Sequence, residues 1–299
     1  MAGLAGVVAG ESAICTVGLG SGLNYRGYNV VDLCEKCLCF EEVAYLLIHG
    51  KLPSVTELSA YLGRLNAYKA DIPKELVLLM ESLPSTCSAM DVTRTACSVL
   101  GCMRPRNGSI PDEADRLMVT LACCVLYWYM FSHRKVRIKF NHSQQETLSQ
   151  MILRFLNVPE DSLKRKAIDT SLICYAEHDF NASTFCARVV ASTQADYYSS
   201  ITAAIGALSG PLHGGANEAA MEFLESCISE EDAERKVRAM WKAKQLVMGF
   251  GHRMYKHGDP RSDILKGFSR KLGNIKLFKI SEHVEKLMVT EKGIYPNAD

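Results

Sequence analysis

Apolar residues recur at intervals of three and four along Glu41–His49, Glu57–Tyr68, Lys74–Ser82, Asp112–Phe131, Gln144–Leu156 and Leu163–His178. That spacing matches the turn of an α-helix, about 3.6 residues, and predicts amphipathic helices with one face against a core. Pro53, Pro73, Pro84, Pro111 and Pro159 fall at the boundaries of these stretches, where a residue without a backbone N–H disrupts no helical ladder. Asp32–Phe40 carries a helical pattern as well. Thr16–Val31 reads differently: glycines and asparagines interrupt Leu19, Tyr25 and Tyr28, which predicts turns or a small hairpin. No alternating run is long enough for a sheet core, and there is no internal repeat or low-complexity linker. The pattern predicts an all-α fold with a small N-terminal hairpin.

Composition sets the scale without changing that picture. A chain of 299 residues that is 48% hydrophobic can bury one large core or two ordinary ones. Thirty-four basic residues against 33 acidic ones leave a formal net charge of +1, so no field recruits nucleic acid or an anionic membrane, and a small-molecule partner is expected. The apolar run Leu121–Trp128 is far shorter than the roughly 20 residues of a membrane span and soon meets His133, Arg134 and Lys135, so no spanning helix is expected. Met1–Gly10 has neither the basic start of a signal peptide nor the Arg/Ser-rich amphipathic stretch of a transit peptide, and the expected location is cytoplasmic, with the mitochondrial matrix as the alternative if the true N-terminus lies upstream of Met1. Of the 12 cysteines, Cys123, Cys124, Cys174 and Cys186 lie among apolar residues and read as reduced core residues. Cys34, Cys37 and Cys39 include a C-x-x-C but no second ligand pair, so no metal site is expected there. Gly18, Gly20 and Gly22 lack the strand-to-helix setting of a nucleotide-binding loop.

Three histidine segments carry the candidate chemistry. Gly210–Glu218 flanks His213 with small residues just before a helix beginning near Asn217, which suits close approach of a ligand and equally suits a plain turn. Gly249–Arg261 frees the backbone ahead of His252 and follows with Asp259-Pro260-Arg261; exposed amides and an arginine fit an anion, and such a loop can also be merely solvated. Tyr175–Ser183 places His178 in a polar knot at the end of a helical stretch, where a structural histidine satisfied by hydrogen bonds would also sit.

Together these segments resemble the motifs of the citrate synthase family. The likeness runs from Gly3 to Asp299 through Gly6–Gly10, Tyr25–Tyr28, Phe40–Leu47, Met90–Val92, and the G-P-x-H-G and G-F-G-H segments in family order. Leu126–Tyr129 with Ser132-His133, and Tyr175–His178 followed by Phe180–Phe185, resemble the 2-methylcitrate synthases within that family more than its mitochondrial citrate synthases. The resemblance implies a large helical domain, residues 1–214, and a small one, residues 215–299, that closes over the substrates, in a homodimer. It implies condensation of an acyl-CoA, propionyl-CoA before acetyl-CoA, with oxaloacetate, the coenzyme A thioester entering as substrate and no permanently bound cofactor or metal. It further implies that His213 binds the thioester carbonyl, His252 acts on the ketone, Asp299 is the base, His178 and Arg261 hold oxaloacetate, and Leu246, Val247, Met248, Gly249 and Phe250 lie against coenzyme A. Citrate synthase proper, or a non-catalytic remnant of the family, is the alternative.

The chain also departs from the family. Members continue past the position of Asp299 into further helices, so that aspartate is expected at a frayed end, with apolar faces uncovered and weakened solubility. Ser88-Ala89 replaces the usual His-Pro, and Met254 a β-branched residue. The first change is expected to alter the substrate pocket and the second to be neutral.

Overall fold

The computed structural model describes residues 8–18, 22–104, 108–140, 145–273 and 275–298. The predicted hairpin is a small antiparallel sheet of β1 (Cys15–Val17), β2 (Leu23–Tyr25) and β3 (Tyr28–Asn29), with Cys15 opposite Tyr25 and Tyr25 opposite Tyr28. Arg26 and Gly27 between β2 and β3 both adopt positive φ, 47° and 88°, which matches the twist of a two-residue hairpin. Asn29 then caps α1 (Val30–Lys36) by accepting the Val31 amide.

Helices follow for the rest of the chain: α2 (Phe40–His49), α3 (Val55–Ala70), α4 (Lys74–Ser82), α5 (Ala89–Met103), α6 (Ile110–Arg134), α7 (Leu148–Phe155), α8 (Ser162–Cys174), α9 (Ala182–Ser192), α10 (Tyr197–Leu208), α11 (Ala216–Ser226), α12 (Glu230–Lys242), α13 (Pro260–Leu272) and α14 (Ile275–Lys292). Their starts are written in short polar side chains. Ser54 with Glu57, and Thr147 with Gln150, form reciprocal capping boxes on α3 and α7. Ser88, Ser109, Asp161, Asn181, Asp196, Ser229 and Asp259 each accept an amide from the first turn of the helix that follows. Ser88, one of the departures noted above, is thus the cap of α5.

Three boundaries differ from the periodicity. The Asp32–Phe40 pattern is broken after Lys36, because Glu42 draws the Leu38 and Cys39 amides onto its carboxylate and restarts the helix at Phe40. The helix expected to reach His178 stops at Cys174, where the chain turns through Asp179 at positive φ, 55°. The helix expected from Gln144 begins at Leu148 behind its Thr147 cap; Gln144 itself lies outside the described residues.

The core falls into three clusters. The first gathers Leu23 and Tyr25 of the hairpin with residues of α1, α2, α3, α6, α7 and α8. The second joins α4, α5, α6 and α10. The third draws on Cys227, Ala233, Val237, Val247, Ile280, Val284, Leu287 and Met288, hence on α12, α14 and the segments beside them. Helix α13 packs on α1, α8 and α14, with Ile264 and Leu265 against the first cluster. The short apolar run seen in the sequence understates α6: at 25 residues this helix is long and apolar enough to cross a bilayer. Here its apolar face lies in the first two clusters, and its buried Asp115 is bonded to Tyr61, Arg64 and His49, so it is the central core helix of this fold.

The hairpin is tied to the end of α8 by one hydroxyl. Tyr25 is fully buried, and its Oη meets the Ile173 and Cys174 carbonyls at 2.9 and 3.3 Å. Tyr25→Phe leaves those carbonyls without that donor in an apolar surround. The expected loss is about 1–2 kcal/mol, read as a lower urea midpoint at an unchanged slope.

Candidate active site

His252 sits in a loop made possible by two glycines. Gly249 and Gly251 have φ of 85° and 79°, a region that side chains with a Cβ rarely enter. This lets 249–251 run antiparallel to 295–297. Phe250 bridges to Pro296, the Gly251 amide donates to the Tyr295 carbonyl at 2.8 Å, and the Asn297 amide donates to the Gly249 carbonyl at 3.0 Å. The Asn297 side-chain amide adds a bond to the Gly251 carbonyl.

Nδ1 of His252 accepts the Met254 and Tyr255 amides at 3.1 and 3.3 Å. Backbone N–H groups can only donate, so Nδ1 presents its lone pair and the proton of the neutral ring is on Nε2. The imidazole stacks on Tyr255, with ring centroids 4.6 Å apart, and meets His178 edge-on at 5.1 Å. His178 Nε2 is 3.0 Å from the Tyr255 hydroxyl. His178 and His252, far apart in sequence, are therefore neighbours around one tyrosine.

His178 is carried by the turn between α8 and α9. Asn181, the cap of α9, accepts the Thr184 amide at 2.8 Å and so sets where Ser183 points. Glu177 in the same turn has its carboxyl held above the usual range, chiefly by burial.

His213 is fixed from the opposite nitrogen. Its Nε2 accepts the Ser183 amide at 3.2 Å and lies 2.9 Å from the Ser183 hydroxyl, which leaves the ring proton on Nδ1. The loop that carries it is folded tightly onto the end of α10. A Cβ on Gly215 would come within 2.7 Å of the Ser209 carbonyl and 2.8 Å of the Gly210 carbonyl, so a larger residue would force this loop open.

Arg261 lies deeper than its motif suggests. It is 2% exposed, and its Nε and Nη2 both face the Asp259 carboxylate, the latter at 2.6 Å. Asp259 also caps α13 through the Arg261 amide at 2.9 Å and accepts the Ala298 amide at 3.1 Å. From the other side the Tyr175 hydroxyl donates to the Ala298 carbonyl. Asp299, expected at a frayed end, lies outside the described residues; the segment leading to it is held through Tyr295, Asn297 and Ala298. Its bonds go to backbone in the 249–251 loop and to the Asp259 and Tyr175 side chains.

The stretch proposed for coenzyme A is divided. Val247 is buried in the third cluster and Leu246 is largely exposed, while Met248, Gly249 and Phe250 are half-buried. Sequence reading missed the parts played by Tyr255, Ser183, Asp259 and Tyr175. Only Asp259 carried a local signal, since aspartate before proline is a common helix start.

Chemically, the site offers two neutral imidazoles whose proton-bearing nitrogens are set by backbone amides, and a buried arginine held in plane by a carboxylate. Such donors suit oxygens on which negative charge grows.

The model of the citrate synthase family, C-terminal domain, matches residues 3–299. A 2-methylcitrate synthase of Shewanella oneidensis is 44% identical over 305 residues, covering 100% of this chain and 81% of its own. Citrate synthase 2 of Bacillus subtilis is 39% identical, over 99% of this chain and 82% of its own. Among solved structures, citrate synthase of Thermotoga maritima superposes with a TM-score of 0.87 at 35% identity, over 99% of this chain and 80% of that one. The ternary complex of the Thermoplasma acidophilum citrate synthase with carboxymethyl coenzyme A and oxaloacetate superposes with a TM-score of 0.90 at 28% identity, over 98% of this chain and 80% of that one.

Proposed function

The chain belongs to the citrate synthase family, and from that premise we propose that it condenses an acyl-CoA with oxaloacetate, releasing free coenzyme A. The observation that carries the reading is the pair of imidazoles, His213 and His252, held as neutral donors through Nδ1 and Nε2 respectively.

The Asp299 carboxylate removes a proton from the carbon next to the thioester carbonyl. That proton is far less acidic than a carboxylic acid, so the step needs a donor where charge develops, and His213 Nδ1–H donates to the carbonyl oxygen. The enol carbon then attacks the ketone carbon of oxaloacetate. His252 Nε2–H donates to the ketone oxygen as it becomes an alkoxide and then a hydroxyl. Water finally cleaves the bond between the acyl carbon and sulfur, and the thiol of coenzyme A leaves. His178 and the positive charge of Arg261 hold the oxaloacetate carboxylates. Leu246 and Met248–Phe250 form the surface for coenzyme A, with Val247 anchoring them in the third cluster. No resident cofactor or metal enters these steps.

We also assign the domain division to 1–214 and 215–299, closing over the enol to exclude water, in a homodimer located in the cytoplasm. The third core cluster, drawn from residues 227–288, supports that division, and Tyr255, Ile264 and Leu265 of the second unit carry its contact with the first cluster. Propionyl-CoA is the preferred thioester, on the strength of the 2-methylcitrate synthases among the relatives. One methyl group discriminates by only about 1–3 kcal/mol, so acetyl-CoA is also turned over.

The test is release of free thiol from propionyl-CoA and from acetyl-CoA, with and without oxaloacetate, by this chain and by Asp299→Ala. Release that requires oxaloacetate, is faster with propionyl-CoA and falls by about 100-fold or more in the variant is expected. Oxaloacetate-independent release, or none from folded protein, refutes the assignment.

A further inference from the structure

We propose that Tyr175 is a positioning residue for the base: with Asp259 it clamps the Ala298 backbone, Asp259 at its amide and Tyr175 at its carbonyl, and so sets where the Asp299 carboxylate is presented. The inference rests on the reading of Asp299 as the base.

The geometry converges on one residue and grips the peptide groups on both sides of its Cα. The Ala298 amide donates to Asp259 Oδ2 at 3.1 Å, and the Ala298 carbonyl accepts from the Tyr175 hydroxyl. A peptide group is planar, and that carbonyl belongs to the group that carries residue 299. Holding it therefore restricts the direction in which the chain enters position 299. The jaws come from different elements: Tyr175 closes the C-terminus of α8, and Asp259 opens α13. Both jaws are anchored in substrate-side structure. Tyr175 stands three residues before His178 on the same turn, and the Asp259 oxygen that takes the Ala298 amide also takes Arg261 Nη2 at 2.6 Å. The clamp thus references the base to the residues that hold oxaloacetate.

Tyr175 is 43% exposed, unlike the fully buried Tyr25. The 295–297 strap keeps its bonds to the 249–251 loop without it. Tyr175→Phe should leave the fold intact and loosen one peptide. A misplacement on the order of 1 Å costs up to about 100-fold in rate, and a partial loosening about 10-fold.

The experiment compares the unsubstituted chain with Tyr175→Phe by steady-state kinetics, using propionyl-CoA with either hydrogen or deuterium on the carbon next to the thioester. Hydrogen–deuterium exchange of the 293–298 amides is read in parallel. The expected result is a kcat lower by about 10-fold, KM for oxaloacetate within about twofold, and a larger deuterium isotope effect on kcat, because proton removal has become slower than the later steps. The Ala298 amide should exchange faster, with the melting temperature within about 2 °C. A merely structural tyrosine would move the melting temperature and not the isotope effect. Unchanged kcat and isotope effect overturn the proposal, as does a raised KM for oxaloacetate with kcat unchanged. If the unsubstituted chain releases no coenzyme A from either thioester, the assigned reaction fails. The exchange data then decide the clamp alone, and an Ala298 amide no faster in the variant overturns it.

Discussion

If His213 and His252 act as proposed, replacing them by amides is expected to give opposite orders of activity: His213→Asn above His213→Gln, and His252→Gln above His252→Asn. The reason is the tautomer fixed at each ring. His213 accepts the Ser183 amide on Nε2, so its donor is Nδ1, and the nitrogen of an asparagine side chain falls near the Nδ1 position. His252 accepts the Met254 and Tyr255 amides on Nδ1, so its donor is Nε2, and only the longer glutamine reaches there. Removing a donor from a developing oxyanion costs about 100- to 1,000-fold in kcat, and the amide that keeps a donor in place should recover about 10-fold of that loss. Steady-state kinetics with propionyl-CoA and oxaloacetate on the four variants check it. The same order at both positions would mean that the amides at Nδ1 of His252 and Nε2 of His213 do not govern which nitrogen acts.

The segments that carry the candidate histidines stand out in the sequence, because each has glycines or polar turn residues that a core helix does not need. The tautomers of those histidines do not, since these depend on amides that face them in space: Ser183 is thirty residues from His213. Tyr255 was hidden by its ordinary spacing from His252, and its place became apparent only with the ring of His178 beside it. Among the helices left unpredicted, α9 and α10 are built on small residues. α9 and α10 are rich in alanine, serine and threonine, and α5 meets α10 where Gly101 leaves no room, a Cβ there lying 2.7 Å from Cβ of Tyr198. Packing of that kind is set by close approach of backbones, and leaves little periodic signal. α12 was missed for the opposite reason: charges dominate it, and its apolar face is reduced to Ala233 and Val237 with the half-buried Met240 and Trp241.

The depth of Arg261 is what the motif could not convey, and it sets the largest expected effect on stability. Asp259→Asn keeps the shape of the helix cap but removes the charge that balances a guanidinium 2% exposed to solvent. Breaking a buried pair by neutralising one partner costs about 3–5 kcal/mol, because the remaining charge stays in a poorly solvating interior. A surface pair such as Lys36 with Asp32 is worth far less, since water screens both groups. Urea unfolding of Asp259→Asn should show that loss. Asp259→Asn combined with Arg261→Gln should lose less than the two single variants together, since neither charge is then left alone. Activity should part company with stability: the double variant recovers fold but not turnover, because the charge proposed to hold a substrate carboxylate and the anionic acceptor for the Ala298 amide are both gone. A double variant as unstable as the sum of the single ones would mean that the pair is held by shape rather than by charge, and Arg261 would then be a packing residue instead of the charged floor of the site.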